Sequence, residues 1–316
     1  MNRLAHTLAS WAFMMLSVGS APAAGFDYRL EPHAVADGVY VLTGLLQDFS
    51  TSNGGNIVNT GFIVGPRGVV VIDSGPSRRY GEQLRAAIAR VTPLPVVLVI
   101  NTHHHPDHFL GNQAFERATL AALPGTRVGI EREGEAFNTN MYRLAGDWMR
   151  DTVVAAPTMD VTPGRLEAGG RSLELFALDG HTGADLAVLD RATGTLFAGD
   201  LVFHERSPTT PHARIEGWLA SLDVLEAISF KVLVPGHGAV AQDAAPLRQT
   251  RDYLRWLDDL LRRSAAAGLD MTEVLTLPLP RMFARLAVAR EEYVRSVGHL
   301  YPAIEQAVLE EGSHAH

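Results

Sequence analysis

Residues 96–112 read Val96-Val97-Leu98-Val99-Ile100-Asn101-Thr102-His103-His104-His105-Pro106-Asp107-His108-Phe109-Leu110-Gly111-Asn112. The β-branched and apolar run after Pro95 suits a buried strand, so the histidines emerge at its C-terminal end. Open sheets carry their ligands at that end. The spacing His103-x-His105-x-Asp107-His108 sets three imidazoles and a carboxylate within six residues. These ligand types suit zinc and other borderline divalent ions. His103 and His105 can share one ion, and alternation in an extended segment turns His104 away. Pro106 then begins a turn that swings Asp107 and His108 toward a second ion. The competing reading is a chance cluster or a solvated histidine patch.

Upstream, Gly38–Gly44, Ile57–Val64 and Gly68–Ile72 are short β-rich runs separated by Gly, Pro and Asn, as in an antiparallel meander. Asp73 closes the third run. It reads either as a turn or cap residue or as a carboxylate that orients a metal ligand from behind. Leu84, Ile88 and Val91 give Arg79–Val91 a helical period. Residues 114–156 read as mostly helical with loops, and Asn138, Tyr142 and Trp148 there either line the site or simply pack.

Downstream, strand patterns return from Gly164: Leu173–Leu178, Asp185–Asp190 and Leu196–Ala198. His181, Asp200 and His237 each follow such a run. One strand-end His or Asp is usually a hydrogen-bonded turn residue, but three beside the first cluster argue for a shared site. His181 completes a three-histidine set with His103 and His105. Asp107, His108 and His237 hold a second ion, and Asp200 can bridge the two. His204 is a substrate contact or proton donor, or else an ordinary loop histidine. Two β-rich halves, each followed by a helix, suggest an α/β (α+β) sandwich of two mainly antiparallel sheets with helices on both outer faces.

Composition narrows the chemistry. With 316 residues, 47% hydrophobic and 20% charged, the chain can bury a large core. A formal charge of −8 speaks against nucleic acid as a partner. There is no cysteine, and Lys231 is the only lysine, with Ile228 three residues before it. A cysteine nucleophile and a Ser-x-x-Lys motif are therefore excluded, and no Gly-x-Ser-x-Gly elbow is present. A metal-activated water is the natural nucleophile.

Arg3, the apolar stretch Leu8–Val18 and Ala21-Pro22-Ala23 fit a signal peptide over residues 1–23 and periplasmic export, with no membrane association after cleavage. An uncleaved anchor is the alternative, but the apolar stretch is short for a span. A core domain over 24–240 then precedes a helical extension over 241–316. Leu247, Leu254, Leu257 and Leu261 mark one amphipathic helix, and a second helical part runs from about 281 to 310. These helices pack on the core, cover the site or form a homo-oligomeric face. The tail Ser313–His316 reads as frayed.

In type, order and context, His103-x-His105-x-Asp107-His108, His181, Asp200 and His237, with Asp73 at its strand end, resemble the metallo-β-lactamase superfamily across Gly38–Val240. That resemblance implies an αββα sandwich, two zinc ions and a bridging hydroxide, with Asp107 also orienting that hydroxide. More narrowly, residues 53–61, 73–81 and 101–108 look like the quinoprotein relay system zinc metallohydrolases, exported proteins related to SoxH. That likeness implies a periplasmic quinoprotein partner. The expected activity is hydrolysis of a small molecule bearing an ester, lactone, thioester or β-lactam carbonyl. A dedicated lactamase fits less well, because the cysteine ligand of one lactamase group cannot be built here, and no glutathione-recognition pattern stands out. The rivals are an iron persulfide dioxygenase using His103, His105, His181 and Asp200, and a non-catalytic metal-binding accessory protein.

Overall fold

The computed structural model describes residues 26–314; the expected signal peptide lies outside the described residues. Its first sheet contains β1 (His33–Ala36), β2 (Val39–Leu42), β3 (Thr60–Gly65), β4 (Gly68–Ile72), β5 (Val96–Asn101), β6 (Leu120–Ala122) and β7 (Met159–Asp160) in chain order. The second contains β8 (Gly164–Ala168), β9 (Arg171–Leu178), β10 (Asp185–Asp190), β11 (Thr195–Phe203) and β12 (Val232–His237). The helices are α1 (Arg78–Val91), α2 (Pro106–Phe109), α3 (Pro124–Ala145), α4 (Ile215–Ala227), α5 (Ala245–Ala266), α6 (Met271–Thr276) and α7 (Ala289–His314).

Period-two patterning builds the layers. Val39, Val41, Ile63, Val70, Ile72, Leu98 and Ile100 face Leu173, Leu175, Leu186, Val188, Phe197 and Val234 of the other sheet. Their chain neighbours Leu42, Phe62, Val69, Val71 and Val99 face Tyr80, Leu84 and Ile88 of α1 and Ile130 and Met141 of α3. On the far side, Leu196, Ala198 and Leu233 pack with Trp218 and Leu222 of α4, Leu254 and Leu257 of α5, and Tyr293 and Val297 of α7. The αββα arrangement is thus four layers with three apolar seams.

Both sheets are mixed. The pairs β4–β5, β5–β6, β6–β7 and β11–β12 are parallel, and the rest are antiparallel. Parallel pairing brings the C-terminal ends of β4 and β5, and of β11 and β12, to one rim.

Several boundaries differ from the sequence reading. β3 starts at Thr60 rather than Ile57, because residues 51–58 form turns. Asn53 fastens these, its Oδ1 accepting from the backbone of Ser50 and Gly55. The strand expected to stop at Ala198 runs on to Phe203, so Asp200 lies within β11 rather than beyond it. A register shift at Gly199 (φ +52°) bends the strand there and re-aims Asp200. The short β6 breaks the region read as mostly helical, and α7 begins at Ala289, later than expected.

Candidate metal centre

Each ligand candidate is delivered by a strand end or by the turn that follows it. β5 ends at Asn101 and releases Thr102–His105. Pro106 occupies the first turn of α2, where its missing N–H costs nothing, and α2 carries Asp107 and His108 back toward the sheets. β9 leads to His181, the bend in β11 presents Asp200, and β12 ends on His237. Gly236 lets β12 approach β11 closely, since a Cβ there would lie 1.9 Å from Asp200 Oδ1.

All seven expected ligands converge, and all are buried. His103, His105, His181 and Asp200 form one set and Asp107, His108 and His237 another, with ligand atoms within 4.8 Å of one another in each. Asp200 stands between them. Its Oδ2 is 3.4 Å from His181 Nε2, 3.9 Å from His103 Nε2 and 3.2 Å from His237 Nε2, and its Oδ1 is 3.1 Å from His108 Nε2. Asp107 Oδ2 lies 3.3 Å from His237 Nε2 and 3.8 Å from His108 Nε2.

Three of the outer ring nitrogens are tied down, while that of His181, Nδ1, is buried without a hydrogen-bond partner among the described residues. His237 Nδ1 donates to the carbonyl of Ile57 at 2.7 Å, and His103 Nδ1 is 3.1 Å from Thr102 Oγ1. His108 Nδ1 donates to Asp73 Oδ2 at 2.8 Å. With these rings fixed from behind, His103 Nε2 is buried without a hydrogen-bond partner among the described residues, and His108 Nε2 and Asp200 Oδ1, 3.1 Å apart, are not aligned for one. Buried orphan polar atoms are rare, and here they face one another, so the donor set fits divalent ions.

Protonation of the three histidines of the first set agrees with that fit. Burial, reinforced by neighbouring imidazoles, pushes His103 and His105 well below the ordinary histidine range, and burial takes His181 down to about 3. Neutral imidazole is the ligating form. Burial acts the same way on His108, but the carboxylates of Asp200, Asp73 and Asp107 outweigh it and raise that ring well above the ordinary range. Burial would raise Asp200, yet His237 and His108 hold it well below the usual carboxylate range, so it stays ionised.

Asp73 sits behind the ligands. Its Oδ1 accepts from the Thr102 backbone and its Oδ2 from Thr102 Oγ1, both at 2.8 Å, besides the bond from His108. An amide at this position loses one acceptor and sets N–H against N–H. Asp73→Asn is expected to weaken the affinity for the ion at His108 by about 10–100-fold, read by competition with a chromophoric chelator. Unchanged affinity would remove Asp73 from the centre.

His104 points out of the centre, with Nε2 3.5 Å from Glu133 Oε2. His204 donates to the carbonyl of Ala239 at 2.8 Å. Trp148 packs against Phe26 and Tyr28 and donates to Thr51, Asn138 donates to Thr152, and Tyr142 is half exposed. None of these three lines the pocket above the centre.

That pocket, about 320 Å³, has Asp107, Asp200, His105 and His237 at its base and Phe49, Ile57, Phe137, Leu144 and Pro211 among its walls. Arg206, Glu292, Arg295 and His299 close another side, the last three from α7. Sequence reasoning did not find the roles of Thr102, the Ile57 carbonyl or Arg206. Threonine beside a histidine and a backbone carbonyl carry no signal of their own.

An αββα sandwich with buried imidazole and carboxylate sets at one rim defines a protein built to hold metal ions. The chain belongs to the metallo-beta-lactamase superfamily, whose sequence profile matches residues 53–237. It is 24% identical to the linear primary-alkylsulfatase of Pseudomonas sp. (strain ATCC 19151), over 78% of this chain but 55% of that protein's length. It is 26% identical to the hydroxyacylglutathione hydrolase of Synechococcus sp. (strain JA-2-3B'a(2-13)), covering 63% of this chain and 82% of that one. Such relatives are hydrolases. The metallo-beta-lactamase from Pontibacter korlensis shares the fold, with a TM-score of 0.59 at 22% identity over 72% of this chain and 99% of its own.

Proposed function

We propose that the protein is a binuclear zinc hydrolase that cleaves an ester, lactone, thioester or β-lactam in a small, partly apolar molecule. The observation that carries this reading is the position of Asp200, within 3.9 Å of imidazole nitrogens from both ligand sets. His103, His105 and His181 hold one ion, and Asp107, His108 and His237 hold the other. When bound, such ions supply Lewis acidity and lower the pKa of water toward neutrality. Asp107, at the base of the pocket, orients the attacking water. Phe49, Phe137 and Leu144 hold the apolar body of the substrate and exclude solvent. The pocket volume lies at the small end of the range for ligand sites.

The motifs at residues 53–61, 73–81 and 101–108 support placement among the quinoprotein relay system zinc metallohydrolases related to SoxH. Export through residues 1–23 to the periplasm, beside a quinoprotein, accords with that placement. Likeness to an alkylsulfatase adds sulfate esters to the panel to be screened.

Elemental analysis of the mature protein and of a His108→Ala, His237→Ala double variant tests the centre. About two zinc per chain, falling to about one in the variant, is expected. One iron per chain, unaffected by the substitutions, would instead indicate the persulfide dioxygenase, which does not need those two ligands. Zinc-replete protein with no metal-dependent turnover across the panel would leave the accessory-protein reading.

A further inference from the structure

His105 is the one ligand candidate whose outward nitrogen meets another imidazole. Its Nδ1 faces His181 Nε2 at 2.8 Å, inside the first ligand set, while its Nε2 lies 2.8 Å from His212 Nδ1. His212 Nε2 in turn lies 3.2 Å from Glu133 Oε2. The three groups come from separate parts of the chain. His105 follows β5, Glu133 lies on α3, and His212 sits in the loop between β11 and α4. Arg132 pairs with the other carboxylate oxygen, Oε1, and His104 Nε2 stands 3.5 Å from Oε2 beside His212. The ring of Phe137 stands edge-on to both His105 and His212, filling the angle between them.

The chemistry of these contacts admits one consistent set of neutral tautomers. A ligand that offers Nδ1 to an ion carries its proton on Nε2. That proton must be donated, and the acceptor within reach is His212 Nδ1. His212 then carries its own proton on Nε2, where Glu133 Oε2 accepts it. The carboxylate thereby orders two imidazoles in series, each fixing the tautomer of the next. A ligand imidazole that donates to a basic partner also binds its ion more strongly.

We propose that His212 and Glu133 are positioning residues for the metal centre: Glu133 orients His212, and His212 holds His105 with Nδ1 turned toward the first ion. The proposal rests on the metal-centre reading given above. It assigns to the loop between β11 and α4 a part in holding the ion, beyond walling the pocket through Thr209 and Pro211. The group His104, His105 and His212 also has ligand atoms within 4.8 Å of one another, so a third bound ion is the alternative use of the same residues.

The test is metal affinity, measured by chelator competition, together with the visible spectrum of the cobalt-substituted protein. The variants are His212→Ala, His212→Gln and Glu133→Gln. His212→Ala is expected to weaken one of the bound ions by about 10–100-fold and shift the cobalt bands, with the other ion retained. Glutamine can accept from His105 and donate to Glu133, so His212→Gln is expected to restore most of the affinity. Glu133→Gln should fall between the two. The His212 side chain is 34% exposed, and a melting curve of each metal-free variant separates loss of fold from loss of metal.

Wild-type affinity and spectrum in His212→Ala would overturn the positioning role while leaving the binuclear centre intact. A third equivalent in the wild type that disappears in His212→Ala would overturn it in favour of a third site. Wild-type protein that binds no divalent ion would sink the centre and this proposal together.

Discussion

Asp200→Asn is expected to lower the turnover of whichever substrate the panel identifies by about three orders of magnitude, on the order of 4 kcal/mol in transition-state stabilisation. The carboxylate is 3% exposed, with four imidazoles reaching toward its two oxygens. An amide keeps the shape but not the charge, and one of its positions becomes a donor that opposes cations. Ions in both ligand sets therefore lose a shared anionic partner, and the distance between them is no longer fixed. Metal content of the variant, measured beside its rate, should fall as well. Turnover within tenfold of the wild type, with full metal content, would show that Asp200 is not shared by the two sets. A circular dichroism melt of the metal-free variant guards against a trivial loss of fold.

The second large effect concerns stability. Glu292→Ala is expected to destabilise the protein by about 3–5 kcal/mol, on the order of 10 °C in melting temperature for a domain of this size. Glu292 is fully buried on α7, and its Oε1 accepts from Arg206 Nη2 at 3.1 Å and from Arg295 Nη1 at 2.7 Å. Arg206 is only 2% exposed, and its Nε and Nη1 lack partners among the described residues. Removing the carboxylate strands a buried guanidinium, whereas replacing both partners removes the charge problem. The Arg206→Met, Glu292→Leu pair should therefore recover most of the loss. A single variant within about 1 kcal/mol of the wild type would mean that this ion pair contributes little to fastening α7 over the pocket.

Together the two variants separate roles that meet in one place. In the proposed function, Asp200 belongs to the chemistry at the base of the pocket. Glu292 belongs to the frame that closes its side, and both residues line the same cavity.

Much of this was legible in the linear chain. The strand before Asn101, the spacing through His108, and strand-end His181 and His237 are local signals, because alternation and strand length fix where a side chain emerges. Asp73 was legible only as one of two readings. The structure adds the bonds from Thr102 and His108, which depend on β4 lying parallel and adjacent to β5. The extension of β11 past Asp200 was hidden because Gly199 reads as the end of a strand, while in the sheet it is a bend that pairing with β12 holds in place.

The sequence by itself determined the sandwich of two sheets with outer helices and the order of the candidate ligand residues, because period-two burial and short-range spacing are written residue by residue. Only the tertiary structure decided which partners stand behind the ligands and what closes the pocket. Glu133 and His212, 3.2 Å apart, and Arg206 and Glu292, 86 positions apart, are ordinary polar residues in sequence. Their meaning comes from distance in space, since a hydrogen bond or a buried charge pair is defined by a few ångströms and by the exclusion of water, neither of which a linear pattern records.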